Sequence, residues 1–242
     1  MTSPKKTALV TGANKGIGKE IARQLGSQNF TVIMAARDDA AGHKAAAELK
    51  AAGADVIAIK LDVVNPDHIA SSVAFVTEKF GKLDLLVNNA GVALEWNAEG
   101  TTIERIRQSL EINAIAPWAV TEAFLPLLQK SSDARVINHS SILGSIGSAE
   151  HGWSQMGAMM SPGYAMSKAA LNMLTLIQSK SLADKGVLVT AAHPGWVKTE
   201  LGSDAAPMEI VDGAKTVVGL ANIERDKFPG GTLSHMGERL PW

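Results

Sequence analysis

Short apolar runs, rich in β-branched residues, alternate along the chain with longer segments whose apolar residues recur at helical spacing. This alternation is typical of stacked β-α-β units, and it predicts an α/β fold built on a parallel sheet. The pattern places six strands, at Thr7–Val10, Thr31–Ala35, Val56–Lys60, Leu83–Val87, Arg135–His139 and Val187–Ala192.

The predicted helices lie between these strands. Ile17, Ile21 and Leu25 mark the buried stripe of the first helix, which ends near Gly26. The later helices are expected at Asp38–Ala52, at Pro66–Phe80 with Gly81 just past its end, at Thr101–Lys130 with a bend near Pro117, and at Pro162–Lys185 closed by Gly186. No linker or repeat interrupts them, so we expect one domain over residues 1–242. The segment Gly144–Gly163 fits neither period, which predicts a loop or a short added helix.

Composition narrows the function classes. The chain has 242 residues, a formal net charge of −1 and no cysteine. A near-neutral chain offers no basic field, so neither nucleic acid nor an anionic membrane is an expected partner. The lack of cysteine excludes disulfides, thiolate metal sites and a cysteine nucleophile. We find neither a signal-peptide core nor an apolar stretch of ~18 residues, and we expect a soluble, cytoplasmic protein.

Three glycines follow the first predicted strand and lead into the first helix, in the spacing Gly12-x-x-x-Gly16-x-Gly18. Glycines allow a tight turn, and they let a pyrophosphate approach the backbone N–H groups at a helix N-terminus. The position between strand and helix favours a dinucleotide site, whereas a plain glycine turn is the structural alternative.

The end of the second strand bears on which dinucleotide is bound. Proteins that prefer NAD usually carry an acid there, and this chain has Ala36 followed by Arg37. Arg37 and Lys15, inside the glycine turn, could together bind a 2′-phosphate, which favours NADP(H) and leaves NAD(H) as a possibility. In the alternative, Arg37 is a solvated charge and Asp38, a helix N-cap, binds the ribose.

The single tyrosine of the chain, Tyr164, precedes Lys168 by four residues. On a helix this spacing puts the phenol and the ammonium on one face, where the positive charge would lower the pKa of the phenol. Taken alone, the pair also occurs by chance in many helices.

Five motifs together resemble the short-chain dehydrogenase/reductase family, over the chain from about Lys6 to Val218. They are the glycine spacing, Asn88-Asn89-Ala90-Gly91, Ser141, Tyr164 with Lys168, and Pro194-Gly195-Trp196-Val197-Lys198-Thr199. The resemblance implies a Rossmann-type doubly wound parallel sheet in a single domain. It also implies an oxidoreductase that moves hydride between NADP(H) and a ketone, an aldehyde or a secondary alcohol.

The resemblance implies a catalytic set of Asn113, Ser141, Tyr164 and Lys168. Tyr164 would act as the general acid or base, and Lys168 would lower its pKa and hold the nicotinamide ribose. Ser141 would hydrogen-bond the substrate oxygen, and Asn113 would hold a water through its backbone. Ser140 is the alternative to Ser141, because neighbouring residues at a strand end point in opposite directions.

The same resemblance implies the cofactor contacts. They are Gly12, Asn14, Lys15, Gly16, Ile17, Gly18, Arg37, Asp62, Val63, Asn89, Ala90, Gly91, Tyr164, Lys168, Pro194, Gly195, Val197 and Thr199. Asp62 would bind the adenine amine, with a helix-capping role near Pro66 as the alternative. The motif at Asn88–Gly91 has a plain strand-ending turn as its alternative. His139 and His193 lack metal-ligand spacing, so no metal is expected and hydrogen-bonded structural roles are favoured.

Two other functions stay open. The fold could serve a non-catalytic nucleotide-binding sensor or regulator, although such a protein need not keep Asn113, Ser141, Tyr164 and Lys168 together. A methyltransferase on a related sheet is disfavoured by the Tyr-Lys pair.

The candidate substrate residues are largely apolar. The predicted contacts are Ser141, Trp153, Met160, Tyr164 and Trp196, with Trp96, Met156 and Met159 nearby in sequence. They favour an apolar, bulky carbonyl compound or alcohol, although packing within the loop is the alternative for most of them.

Ser141 and Tyr164 are 23 positions apart, roughly ten more than the resemblance leads us to expect. We therefore predict an inserted loop at about 145–162, next to the substrate entrance. It resembles, on a smaller scale, the insertion of monomeric carbonyl reductases. This favours a monomer over a dimer or tetramer, and a functionless surface loop is the alternative.

Overall fold

Eight strands form one sheet in the computed structural model, which describes residues 5–95, 100–150 and 161–242. The strands are β1 (Lys6–Thr11), β2 (Phe30–Ala36), β3 (Val56–Lys60), β4 (Leu85–Asn88), β5 (Ala134–His139), β6 (Val187–Ala192), β7 (Leu233–His235) and β8 (Glu238–Leu240). Their order is β3-β2-β1-β4-β5-β6-β7-β8, parallel except for the final antiparallel pair. The doubly wound parallel sheet and its six long strands are thus confirmed, and the two short strands were not predicted.

Helices cover both faces of the sheet. They are α1 (Gly16–Gly26), α2 (Asp39–Ala51), α3 (Pro66–Phe80), α4 (Ile103–Leu110), α5 (Ala116–Leu128), α6 (Ile146–Glu150), α7 (Pro162–Ser181), α8 (Ile210–Gly213) and α9 (Lys215–Asn222). The bounds of α3 are those predicted, because its ends carry strong local signals. The Asn65 side chain accepts from the first N–H groups, and Gly81 takes the left-handed conformation at φ 70°.

Three predicted segments differ in detail from the structure. The long helix over Thr101–Lys130 is not simply bent near Pro117: a π-helical turn at Glu111–Ile115 separates α4 from α5. The next long helix ends at Ser181 and continues as a 3₁₀ turn before Gly186. The segment Gly144–Gly163 contains the short helix α6, and its residues 151–160 lie outside the described part of the chain.

Alternating residues of the central strands pack into two apolar layers, one on each face of the sheet. On β1, Ala8 and Val10 pack with α1, α2 and α9, whereas Leu9 packs with α3 and α5 on the other face. Burial on both faces explains why the strands read as continuous apolar runs. Among the helices described, none combines the length and the apolar character that crossing a membrane requires.

The chain order reverses between β1 and β4, which are neighbours in the sheet although two β-α units separate them in sequence. In open α/β sheets, ligands bind in the crevice outside the carboxyl ends of the strands at such a point. The glycine turn, Asn89 and Ser141 all follow strands that end at this crevice.

Candidate active site

The glycine turn between β1 and α1 has no space for side chains at two of its positions. A Cβ at Gly12 would lie 3.0 Å from Ala90 Cα, and one at Gly18 would lie 2.4 Å from Asn89 Nδ2. Gly12 also adopts a positive φ of 64°. No side chain of the described residues caps the N-terminus of α1. The turn therefore presents free backbone N–H groups where a phosphate could approach them.

A hydrogen-bonded clamp joins this turn to the end of β4. The Thr11 hydroxyl accepts from the backbone N–H groups of Asn89 at 3.0 Å and Ala90 at 2.9 Å. The Asn89 amide donates to Thr11 O, and its Oδ1 accepts from His139 Nδ1 at 2.7 Å. His139 is thus held by a hydrogen bond, and burial together with Lys168 and His193 lowers its pKa to about 3. Thr11 was not among the predicted site residues.

The two serines after β5 point in different directions. Ser141 shares a side-chain hydrogen bond with Tyr164, and its Oγ also accepts from Leu143 N at 3.1 Å. Ser140 instead donates to Asn172 Oδ1 at 2.6 Å, inside the contact between β5 and α7. Of the two candidates, the structure therefore brings Ser141 to the phenol.

Tyr164 and Lys168 lie on α7 and are both buried. The Lys168 ammonium lies 5.7 Å from the centre of the Tyr164 ring and donates to His139 O at 2.8 Å. Burial raises the pKa of Tyr164 to about 12, against the lowering effect of the Ser141 hydrogen bond. Burial also lowers the pKa of Lys168 to about 8. The direction is opposite to the predicted fall of the Tyr164 pKa, because removal of the phenol from water outweighs its hydrogen bond with Ser141.

Asn113 lies in the π-helical turn between α4 and α5. Its Oδ1 accepts from Val92 N at 2.8 Å, and its Nδ2 donates to Val92 O at 2.8 Å and to Ser167 Oγ at 2.9 Å. Single π turns occur often at functional sites. Here the side chain ties the loop after β4 to α7.

The loop after β6 folds over the glycine turn. Gly195 has φ 89°, and a Cβ there would lie 2.2 Å from Met208 Sδ, so only glycine fits. Thr199 accepts from Gly202 N at 3.0 Å. Its methyl group would lie 3.8 Å from a Cβ at Gly16. The loop and the glycine turn thus form the two sides of one cleft.

The two predicted phosphate-binding cations lie on the surface. Lys15 forms an ion pair with Glu200 of the loop after β6. Arg37 is exposed and makes no hydrogen bond or ion pair with the residues that the structure describes. The Asp38 carboxylate accepts from Ala41 N at 3.0 Å, so Asp38 is the N-cap of α2 that the sequence predicts. Asp62 accepts from Val64 N at 3.3 Å, while Asn65 caps α3, so Asp62 is not the helix cap.

The cleft lies between the glycine turn and the loop after β6. It is lined by Ile17, Ser141, Leu143, Tyr164, His193, Pro194, Gly195, Trp196, Val197, Thr199, Leu201 and Gly202. Two predicted catalytic residues, Ser141 and Tyr164, therefore meet several predicted cofactor residues and Trp196 in one place. Asn113 and Lys168 are not among the lining residues. Within the described ranges, no group of three or more His, Asp or Glu side chains could hold a metal.

A family comparison adds to this geometry. The model of the short chain dehydrogenases matches residues 6–210. The chain belongs to the short-chain dehydrogenase family.

This short-chain dehydrogenase is similar to several known proteins. It is 34% identical over 220 residues to the short-chain dehydrogenase anuI of Penicillium roqueforti, covering 88% of this chain and 87% of that one. It is 30% identical to (+)-neomenthol dehydrogenase of Arabidopsis thaliana, covering 93% and 94%. The NADPH-bound carbonyl reductase from chicken fatty liver superposes with a TM-score of 0.86 at 30% identity, over 99% and 100% of the two chains.

Five predicted residues of the dehydrogenase lie outside the described part of the chain: Trp96, Trp153, Met156, Met159 and Met160. Of the predicted substrate contacts, Ser141, Tyr164 and Trp196 are the ones that the structure places, and all three line the cleft.

Sequence reasoning missed one carboxylate beside α7, the helix that carries Tyr164 and Lys168. Glu95 is 4% exposed and accepts from the backbone N–H groups of Gly163 at 3.1 Å and Tyr164 at 3.0 Å. Thr101 Oγ1 donates to the same carboxylate at 2.9 Å. A lone acid in a loop, 69 positions before Tyr164, carries no sequence signal for this contact.

Proposed function

We propose that this short-chain dehydrogenase is an NADP(H)-dependent oxidoreductase that interconverts a ketone or aldehyde and the corresponding alcohol. The observation that carries the proposal is the Ser141–Tyr164 side-chain hydrogen bond in a cleft bordered by the glycine turn, with Lys168 over the phenol ring. A proton donor, a hydrogen-bonding hydroxyl and a cation thus converge where a carbonyl oxygen could be bound.

The residues around the cleft fit a dinucleotide. Gly12 and Gly18 have no side chains that would cover the backbone of the turn. The N-terminus of α1, which no side-chain cap occupies among the described residues, would bind the pyrophosphate. Pro194, Val197 and Thr199 would hold the nicotinamide end, on the opposite side of the cleft. When bound, NADPH supplies the hydride.

Tyr164 would supply the proton. With its pKa raised to about 12, the phenol is protonated at neutral pH and can donate to the substrate oxygen as negative charge develops there. Ser141 would stabilise the same oxygen through its hydroxyl group. Lys168, whose pKa burial lowers to about 8, supplies a cation beside the ring and would hold the nicotinamide ribose.

The preference for NADP(H) rests on the charges at the adenosine end. Ala36 ends β2 without a carboxylate, and Arg37 follows as an exposed cation without a partner among the described residues. Lys15 could leave Glu200 and bind the 2′-phosphate, because their ion pair is largely exposed and contributes little to stability in water. The similarity to a carbonyl reductase bound to NADPH agrees with this preference.

The substrate proposed is an apolar, bulky carbonyl compound or alcohol. Leu143, Trp196 and Leu201 give the cleft an apolar lining beside Tyr164. The inserted segment at about 145–162 would complete this pocket, and we propose that the protein acts as a monomer without nucleic acid or membrane.

The direct test is oxidation of NADPH by the purified protein with a panel of ketones and aldehydes. We expect turnover with apolar carbonyl compounds, and we expect Tyr164→Phe to reduce kcat by a factor on the order of 10²–10⁴ or more while NADPH still binds. The variant keeps the ring and removes only the proton donor. Binding of NADPH with no turnover in any panel member would support a non-catalytic sensor instead, and activity of the variant within tenfold of the parent would remove Tyr164 from its role.

A further inference from the structure

Glu95 occupies the N-terminus of the helix that carries Tyr164. Ser161, at the N-cap position of α7, makes no side-chain cap, and Pro162 has no backbone N–H. The next two N–H groups, of Gly163 and Tyr164, both donate to the Glu95 carboxylate. A side chain from another loop thus replaces the missing local cap, in the position where a helix N-terminus favours negative charge.

The contact is built closely around the carboxylate. Glu95 is 4% exposed, and a Cβ at Gly163 would lie 3.1 Å from Glu95 Oε2 and 3.1 Å from Ile106 Cα. Gly163 therefore leaves the space that the carboxylate uses. Thr101 donates the third hydrogen bond, from just before α4.

These hydrogen bonds belong to a network around the first turn of α7. Ser167 Oγ donates to Tyr164 O at 2.7 Å and accepts from Asn113 Nδ2. Asn113 in turn binds both backbone polar groups of Val92, three residues before Glu95. Tyr164 is thus fixed through its N–H by Glu95 and through its C=O by Ser167, which Asn113 of the π turn binds in turn.

We propose that Glu95 is a positioning residue that fixes the phenol of Tyr164 relative to Ser141 and the bound substrate. This inference rests on the proposed function, since it concerns the proton-donating step. Without the carboxylate, two buried N–H groups lose their acceptor, and the first turn of α7 is free to shift. A small displacement of the phenol slows proton donation, while the glycine turn that binds the dinucleotide is untouched.

The test is a series of variants in the full-length protein with NADPH and the best carbonyl substrate of the panel. Glu95→Gln keeps the size of the side chain but cannot accept from both N–H groups as a carboxylate does, and Thr101→Val removes only the third bond. Glu104→Gln is the matched control, because Glu104 is exposed on α4. We expect kcat to fall on the order of tenfold or more in Glu95→Gln, a few-fold in Thr101→Val and not at all in Glu104→Gln. The dissociation constant of NADPH should stay within about twofold.

The solvent deuterium isotope effect on kcat separates positioning from folding. If the phenol is misplaced, proton donation becomes slower and the isotope effect rises in Glu95→Gln. If Glu95 only stabilises the fold, activity falls in proportion to the NADPH-binding fraction and the isotope effect stays that of the parent. That second result, or a kcat within about twofold of the parent, overturns the proposal. A parent that shows no turnover contradicts the proposed function itself, which is a distinguishable outcome.

Discussion

Ser141 and Ser140 are adjacent, yet their hydroxyl groups have different partners. Ser141 reaches the phenol of Tyr164 near the start of α7, whereas Ser140 is bound to Asn172, further along the same helix. The different partners allow a matched comparison of two nearly identical substitutions.

We expect Ser141→Ala to reduce kcat by a factor on the order of 10² or more, because the substrate oxygen loses a donor that acts on developing charge. Ser140→Ala should lower the free energy of unfolding by about 1 kcal/mol through loss of one hydrogen bond and leave kcat close to that of the parent. Steady-state kinetics and urea unfolding of both variants check this. If instead Ser140→Ala reduced kcat and Ser141→Ala lowered only the free energy of unfolding, Ser140 would be the serine that acts on the substrate.

The cofactor preference can be tested at Lys15 and Arg37. Replacing both with neutral residues should collapse the preference for NADPH over NADH, since charge-assisted contacts to a phosphate contribute roughly 1.5–3 kcal/mol each. The measurement is kcat/KM with each reduced cofactor. Lys19→Gln is a control, because Lys19 pairs with Glu48 on α2. A parent that already uses NADH equally well would show that Ala36 and Arg37 do not select the cofactor.

Several site residues could be predicted from local sequence and others could not. The glycines and the Tyr164–Lys168 pair follow from short-range spacing on recognisable elements. Glu95 and Thr11 act through contacts 69 and 78 positions away, which only the folded chain brings together. The raised pKa of Tyr164 also depends on burial, which the spacing of Tyr164 and Lys168 does not determine.

Strands were predictable from the sequence where both of their faces are buried, and helices were predictable where capping residues mark their ends. The six long strands are apolar runs, and the ends of α3 carry an asparagine cap and a glycine. Strand β8 contains Glu238 and Arg239 and is only three residues long, so it lacks an apolar run. The π turn at Glu111–Ile115 continues the helical pattern around it, and its wider backbone geometry leaves no trace in residue types.

The insertion predicted at about 145–162 is expected to form part of the substrate pocket, and a loop replacement tests this role. Replacing residues 148–158 with a short Gly-Ser turn should raise KM for bulky ketones far more than for small aldehydes, because the prediction assigns apolar substrate contacts to this segment. Equal KM values across that series would leave the segment without a role in the pocket. Mass measurement in solution tests the predicted monomer: the parent should have the mass of one 25.4 kDa chain, and the variant should have a larger mass if the segment prevents association.

At the scale of the whole molecule, two buried histidines link stability to pH. Burial, with nearby charges, lowers the pKa of both His139 and His193 to about 3. Between that value and the ordinary value of 6.5, the unfolded chain binds protons that the folded chain does not. The stabilisation is therefore present above about pH 6.5 and is lost as the pH falls.

We expect the free energy of unfolding to decrease by roughly 2–3 kcal/mol between about pH 7.5 and pH 5.5, since each histidine contributes about 1.4 kcal/mol over this range, which is centred on the ordinary pKa of 6.5. Urea unfolding at the two pH values measures this change. His193→Asn should remove about half of it, and His139→Asn should remove a similar share. An equal pH dependence in the parent and both variants would exclude the buried imidazoles as the cause.

The solitary tyrosine has a practical consequence for spectroscopy. Tyr164 is the only tyrosine among 242 residues, and it lies in the cleft. Fluorotyrosine supplied during expression would therefore label the proposed proton donor and no other residue. A single fluorine resonance would then report the ionisation of that phenol and its response to cofactor, without mutation and without assignment of the rest of the protein.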